Sequence, residues 1–134
     1  MATLRVLLVD DNATVLTVLE ELLRRNVTSI IILTAASGQD ALRVLQTATV
    51  DVVLSDVSMP NGDGFFLLEE VQRQWPSLPV VLMSGEPVES RALQAGAKAF
   101  FSKPIDPHRL IETLTALTSR TMRVVIRRPP EQPS

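Results

Sequence analysis

The sequence predicts an α/β fold, a doubly wound five-stranded parallel sheet with helices on both faces. Three observations support it: five short apolar segments recur along the chain, they are nearly continuous rather than alternating, and helical patterns separate them. Continuous apolar strands are typical of parallel sheets that are buried on both faces. Right-handed crossovers leave few other arrangements, and 134 residues suit a single domain.

The elements follow from the apolar pattern in chain order. The predicted strands are "LRVLLV" at 4–9, "SIIIL" at 29–33, "DVVLS" at 51–55, "PVVLM" at 79–83 and "KAFF" at 98–101. Apolar residues three or four apart indicate one helix after each strand. Their stripes are Val15, Leu19, Leu22 and Leu23; Ala41, Leu42 and Leu45; Leu67, Leu68 and Val71; Val88, Ala92 and Ala95; and Leu110, Ile111, Leu114 and Leu117.

The end of the chain differs from the rest. We predict one domain over residues 1–118, followed by a basic tail over 119–134, "SRTMRVVIRRPPEQPS". Its three prolines disfavour a folded end, and termini are commonly mobile, so we predict a mobile tail. The alternative is that "MRVVI" forms an extra edge strand or pairs with a partner.

Charge and composition exclude several classes of protein. The tail carries a net charge of +3, whereas the other residues include nine basic and 14 acidic side chains, a net charge of −5. An acidic body lacks the basic face that nucleic-acid binding needs. The absence of cysteine excludes disulfides and thiolate chemistry. The first apolar run is too short for a signal peptide or a membrane span, so we expect a cytoplasmic protein without a membrane partner.

Acidic residues follow two of the predicted strands. Asp10 and Asp11 come after the first strand and Asp56 after the third. If these strands are neighbours, three carboxylates meet at the sheet edge where ligands bind in such folds. Their repulsion would be offset by a divalent cation, and oxygen ligands favour Mg²⁺. The loop carbonyl of Ser58 is the best placed additional ligand.

Each acid also has a simpler interpretation. Asp11 or Asn12 could cap the helix that begins near Ala13, and Asp56 could be an ordinary turn residue. Asp63, between two glycines, is read as a turn residue rather than a ligand.

The last two strands also end in polar residues. The fourth runs into Ser84, and the fifth leads into Lys103-Pro104. A lysine in an apolar context at this edge would bind an anion, although a hydroxyl or a lysine taken alone is commonly a surface group. The conjunction of acids, hydroxyl and lysine at successive strand ends predicts one site. His108, the only histidine, belongs to no ligand spacing and is assigned to the surface.

These residues resemble the receiver domain of two-component response regulators, similar in fold to the chemotaxis regulator. The matching motifs are "VDD" at 9–11, "SDVSMPNGDG" at 55–64, "MSG" at 83–85 and "KAFFSKP" at 98–104. They lie within residues 4–118, nearly the whole chain. The resemblance implies a (βα)5 domain with the flavodoxin-like strand order 2-1-3-4-5.

The resemblance also implies a role for each matching residue. Asp56 is the phosphoacceptor, which takes the phosphoryl group of a phosphohistidine on a histidine kinase or histidine phosphotransfer protein. The implied Mg²⁺ ligands are Asp10, Asp11, Asp56 and the backbone carbonyl of Ser58. Ser84 binds a phosphoryl oxygen, Lys103 pairs with the phosphate, and Pro104 follows a cis peptide bond.

Phosphorylation is implied to change the surface of the domain. Ser84 and Phe100 occupy the switch positions, although Phe100 could equally be a plain core residue. The segment "SGEPVESRALQAG" is about one helical turn shorter than is usual, so we predict a short fourth helix and doubt dimerisation through it. Phe100 lacks the hydroxyl of the commoner tyrosine, and Ser58 and Glu86 occupy positions that tune the phosphate lifetime.

The expected function is therefore that of a phosphoacceptor that signals to another, unknown protein and is not a conventional enzyme. It would catalyse only its own phosphorylation and dephosphorylation. One alternative is a phosphorylation-independent interaction module of the same fold. A Mg²⁺-dependent phosphatase would carry Asp-x-Asp on the first strand, and a nucleotide-binding flavodoxin relative would need a glycine-rich loop there; the sequence has neither.

Overall fold

Five strands and five helices alternate within residues 3–118, the part of the chain that the structure, a computed structural model, describes. Their bounds are β1 Leu4–Val9, α1 Ala13–Asn26, β2 Ile30–Ala35, α2 Gly38–Thr47, β3 Val52–Asp56, α3 Gly64–Gln74, β4 Val80–Ser84, α4 Glu89–Gln94, β5 Ala99–Ser102 and α5 Pro107–Thr118. The predicted alternation of strands and helices is confirmed. The predicted mobile tail, and the alternative strand at "MRVVI", lie outside the described residues.

All neighbouring strands are parallel, in the order β2-β1-β3-β4-β5. The predicted flavodoxin-like order is thus confirmed, and β1 lies beside β3. In the register of the two strands, Val9 pairs with Ser55, so the residues that follow them reach the same edge. β3 and β4 each extend one residue beyond the prediction, which makes Asp56 and Ser84 the last residues of their strands.

Successive strand residues fill two separate apolar layers, one on each face of the sheet. Leu7, Val53 and Leu82 pack with α2, α3 and α4, whereas their chain neighbours Leu8 and Leu54 pack with α1 and α5. Because both faces are covered, the strands read as continuous apolar runs. The two layers hold the polar residues of β1, β3 and β4 at one edge of the sheet.

Side-chain caps fix where most helices begin. Asn12 accepts hydrogen bonds from the backbone N–H groups of Thr14 and Val15 at the start of α1 (2.9 and 3.2 Å). Asp63 accepts one from Phe66 at the start of α3 (2.8 Å). Asn12 therefore caps α1, as one of the simpler interpretations expected, and Asp63, predicted as a turn residue, is the N-cap of α3.

The fourth helix is short, as predicted, with six residues and no side-chain cap. Its predicted apolar stripe is only partly right: Ala92 is buried, but Ala95 is exposed. The helix ends at Gln94, and Gly96 turns the chain away with a positive φ of 110°, so Ala95 never reaches the core.

Leu54 offers a test of the buried layers. It is fully buried in the middle of the sheet, whereas Val18 on α1 is 59% exposed. We expect Leu54→Ala to lower the free energy of unfolding by about 2–5 kcal/mol, because it removes buried contacts and leaves a cavity. Val18→Ala should change it by no more than about 0.5 kcal/mol. Urea unfolding followed by circular dichroism measures both, and equal effects would contradict this assignment of the core.

Candidate functional site

Three carboxylates meet at the carboxyl edge of the sheet, as the sequence predicts. One oxygen from each of Asp10, Asp11 and Asp56 lies within 4.8 Å of the others. Asp10 and Asp56 are 1% and 7% exposed, whereas Asp11 is exposed. The cluster is therefore buried where it faces the sheet and open to solvent at Asp11.

Lys103 reaches both buried acids from the segment after β5. Its Nζ lies 2.9 Å from Asp56 Oδ1 and 3.4 Å from Asp10 Oδ2. Its backbone N–H donates to the carbonyl of Ser84 (2.9 Å), which ties this segment to the end of β4. The peptide bond between Lys103 and Pro104 is cis, as the resemblance implied.

The charges of the cluster act on one another. Burial raises the pKa of Asp10, and the hydrogen bond from the backbone N–H of Asn12 lowers it. The overall shift of this pKa is upward. The charge of Asp56 raises the pKa further, and Lys103 lowers it. Burial works against the charged form of Lys103, but its hydrogen bonds and charge contacts with Asp56 and Asp10 outweigh this and raise its pKa. Lys103 is thus a stable cation between two acids that repel each other.

Ser84 and Phe100, the predicted switch residues, lie at the end of β4 and within β5. The Ser84 side chain is buried, and its Oγ accepts a hydrogen bond from the backbone N–H of Glu86 (3.0 Å). Phe100 is 8% exposed and belongs to the apolar layer under α4. It pairs in register with Leu82 of β4. In this conformation Phe100 serves as a core residue, and its role in switching stays a prediction.

The loop between β3 and α3 is held by backbone contacts. Val57 donates to the carbonyl of Met83 (2.9 Å), and Gly64 donates to the carbonyl of Val57 (2.8 Å). A Cβ on Gly64 would lie 2.6 Å from the backbone oxygen of Asp56, so this close approach requires glycine. Ser58 is an exposed residue of the same loop, and its carbonyl remains a predicted ligand.

Sequence reasoning missed a contact between this loop and α2. The backbone N–H of Gly38 donates to the carbonyl of Gly62 (2.8 Å). A Cβ on Gly38 would meet that same oxygen at 2.7 Å. The sequence signal for this contact was "SG" at 37–38, just before the second helical stripe. A glycine directly after an N-cap residue lets another backbone segment approach closely.

The donor set of the cluster fits a hard divalent cation. All three side chains offer carboxylate oxygens close enough to share one ion, and Mg²⁺ and Ca²⁺ prefer such ligands. His108 is exposed and lies at the start of α5, where its backbone N–H donates to Asp106 (3.0 Å).

The fold and the site define a class: an α/β domain with an acidic pocket and one lysine at the carboxyl edge of a parallel sheet. The family model for the response regulator receiver domain matches residues 6–115. The chain belongs to this family, whose members act as phosphoacceptor domains in two-component systems. Among residues 3–118, no helix combines the length and apolar character needed to cross a membrane.

Individual relatives agree with this membership. The transcriptional regulatory protein GlrR of Escherichia coli is 36% identical over 111 residues, which cover 81% of this chain and 24% of the relative. The Arabidopsis thaliana two-component response regulator ARR11 is 42% identical over 107 residues, covering 76% and 20%. The chain thus spans about a quarter or less of the length of these relatives.

Solved structures show the same domain by itself. The chemotaxis response regulator CheY4 of Vibrio cholerae is 29% identical with a TM-score of 0.77, covering 87% of this chain and 99% of that one. A signal receiver domain from Pseudomonas fluorescens is 28% identical with a TM-score of 0.82, covering 89% and 97%. The likeness therefore extends over complete receiver domains.

Gly64 provides a test of how the loop is positioned. We expect Gly64→Ala to lower the free energy of unfolding by about 1–3 kcal/mol, because the new methyl group would overlap backbone atoms of Asp56 and Val57. Gly85→Ala is the matched control, since nothing lies within 4 Å of its added Cβ, and it should change stability by no more than about 0.5 kcal/mol. Urea unfolding compares them, and a neutral Gly64→Ala would contradict the close approach.

Proposed function

We propose that Asp56 is the residue that accepts the phosphoryl group. The observation that carries the proposal is the contact of the Lys103 ammonium with the Asp56 carboxylate (2.9 Å) in a pocket that contains two further acids. The donor is the phosphohistidine of a histidine kinase or a histidine phosphotransfer protein. Because such phosphohistidine is made from ATP, we place the chain in the cytoplasm.

The proposed reaction is a direct displacement at phosphorus. An oxygen of Asp56 forms the new P–O bond while the P–N bond of the phosphohistidine breaks, and the imidazole nitrogen leaves with the electron pair and takes up a proton. Such transfers need alignment and charge neutralisation more than covalent assistance. Lys103 balances the charge on the acceptor and the phosphoryl oxygens, and the Ser84 hydroxyl donates to one of those oxygens.

The implied cofactor is Mg²⁺, held by Asp10, Asp11, Asp56 and the carbonyl of Ser58. When bound, such an ion neutralises charge on the phosphoryl oxygens and on the acids that surround them. Its fit is supported by the all-oxygen donor set and by the repulsion between Asp10 and Asp56 that contributes to the raised pKa of Asp10. The exposed position of Asp11 leaves the ion a path from solvent.

The product is an acyl phosphate, which water can hydrolyse at phosphorus to restore the Asp56 carboxylate. The domain therefore catalyses its own phosphorylation and dephosphorylation without repeated turnover of a substrate. The added phosphate brings up to about two negative charges next to Ser84. Ser84 and Phe100 respond to the phosphate, and the surface around α4 shifts toward a second conformation. An output protein of unspecified identity then binds that conformation.

The first test uses small phosphodonors. We expect acetyl phosphate or phosphoramidate with Mg²⁺ to add one phosphoryl group to the full chain, detected by intact mass, because the pocket supplies the alignment itself. Asp56→Asn should abolish the adduct. Asp63→Asn is the matched control, since it makes the same change in the same loop at an exposed residue that caps α3, and it should retain the adduct.

Two results would contradict the assignment. An adduct that survives in Asp56→Asn would mean that another residue is the acceptor. The absence of an adduct with either donor, in folded protein with Mg²⁺ present, would favour the phosphorylation-independent interaction module.

The second test concerns the metal. We expect Mg²⁺ to stabilise the folded chain, by about 2.7 kcal/mol at 100 times its dissociation constant, because binding to the native state alone shifts the unfolding equilibrium. Asp11→Asn should remove most of this gain, whereas Glu21→Gln, at an exposed residue of α1, should keep it. Urea midpoints with Mg²⁺ and with EDTA measure the difference. A gain that is equal in both variants would place the ion elsewhere.

A further inference from the structure

A groove with three shared apolar walls lies at the end of the sheet opposite the acidic cluster. Two cavities of about 390 and 430 Å³ share Val50, Trp75 and Leu78 as walls. These three side chains are only partly buried, although they pack against the apolar layer under α2 and α3. The groove therefore leaves apolar surface partly uncovered, including that of the chain's only tryptophan.

The groove also has an acidic wall. Asp51 lines the first cavity, and its Oδ2 accepts a hydrogen bond from the backbone N–H of Arg5 (2.8 Å). Within residues 3–118, no basic side chain forms an ion pair with this carboxylate. The groove thus combines apolar walls with a carboxylate that has no cationic partner in the described chain.

The chain leaves the described structure at this groove. In a parallel α/β sheet each helix runs back toward the amino ends of the strands, so the end of α5 lies at the end of the sheet opposite the acceptor. Leu117, in the last turn of α5, is itself a wall of the first cavity. The described part of the chain therefore ends at Thr118, one residue after a wall of the groove.

The segment that follows has the complementary chemistry. Residues 119–128 read "SRTMRVVIRR", in which four apolar residues are interspersed with four arginines. The arginines are opposite in charge to Asp51 and to residues 1–118, whose net charge is −5. Ten residues span up to about 33 Å when extended. Because the segment is tethered to the domain, its effective concentration at the groove is roughly millimolar.

We propose that the segment 119–128 docks into this groove, with its apolar side chains against Trp75 and an arginine beside Asp51. The docked segment stays away from Asp56, so this inference goes beyond phosphoryl transfer and does not depend on it.

The single tryptophan gives a local test in the full chain. We expect Val125→Asp to increase quenching of Trp75 fluorescence by acrylamide and to shift its emission to the red, because a charge in the segment disfavours the apolar contact. Gln132→Asp is the matched control, since it adds the same charge outside the segment, and it should leave Trp75 unchanged. Asp51→Asn, which keeps an acceptor for Arg5, should lower the ratio of docked to free segment by roughly two- to fivefold.

Glu21→Gln removes an exposed acidic charge on α1 that lines neither cavity, and it should have no effect on Trp75. The protection of Trp75 should fall with added salt and should not depend on protein concentration. Protection that grows with concentration would mean that a second copy fills the groove. An unchanged Trp75 in Val125→Asp would mean that the segment is mobile or docks elsewhere, and either result overturns the proposal.

Discussion

The arrangement of the site depends on the concentration of charged residues at one edge of the parallel sheet. Parallel strands all end at the same side, so adjacency of β1 and β3 places Asp10 and Asp56 together, nearly without access to water. Burial and mutual repulsion both disfavour two carboxylates there. Lys103 offsets this from the segment after β5 by contacting both. The site is therefore electrostatically complete only when the first, third and fifth strands are in place, which links the chemistry to the whole fold.

This dependence explains how much the sequence could predict. The strands were readable because both faces of the sheet are buried, and the site residues were readable because each follows or ends a strand. The contact between Asp10 and Asp56, however, required the neighbouring order of β1 and β3, which the resemblance supplied. The backbone contact of Gly38 with Gly62 was not predictable from apolar spacing, because it joins the first residue of α2 to the loop between β3 and α3. Ala95 was misplaced because a helical stripe does not show where a short helix ends.

The short α4 has no side-chain N-cap, but two side-chain contacts connect it and the residue after it to α3. The guanidinium of Arg91 lies 3.9 Å from the ring centre of Phe65 on α3, and the Gln72 side chain donates to the carbonyl of Ala95 (3.0 Å). A helix of six residues has few internal hydrogen bonds, so these two contacts with α3 add to the burial of Ala92 in the core in holding it. In the proposed function, a change at Ser84 and Phe100 acts on a helix that these contacts also connect to α3.

In the two proposals, the two ends of the sheet have different functions: phosphoryl transfer at one end and docking of a chain segment at the other. Charges at the carboxyl edge act over short distances, since at physiological salt the screening length is about 8 Å. The apolar layers between the ends are closely packed and transmit small displacements rather than charge. In the proposed function, a phosphoryl group on Asp56 would therefore act through the residues that touch the pocket and through the neighbouring surface around α4. The groove at Trp75 is separated from it by the length of the strands, so a segment bound there adds stability without competing with the acceptor for the same surface.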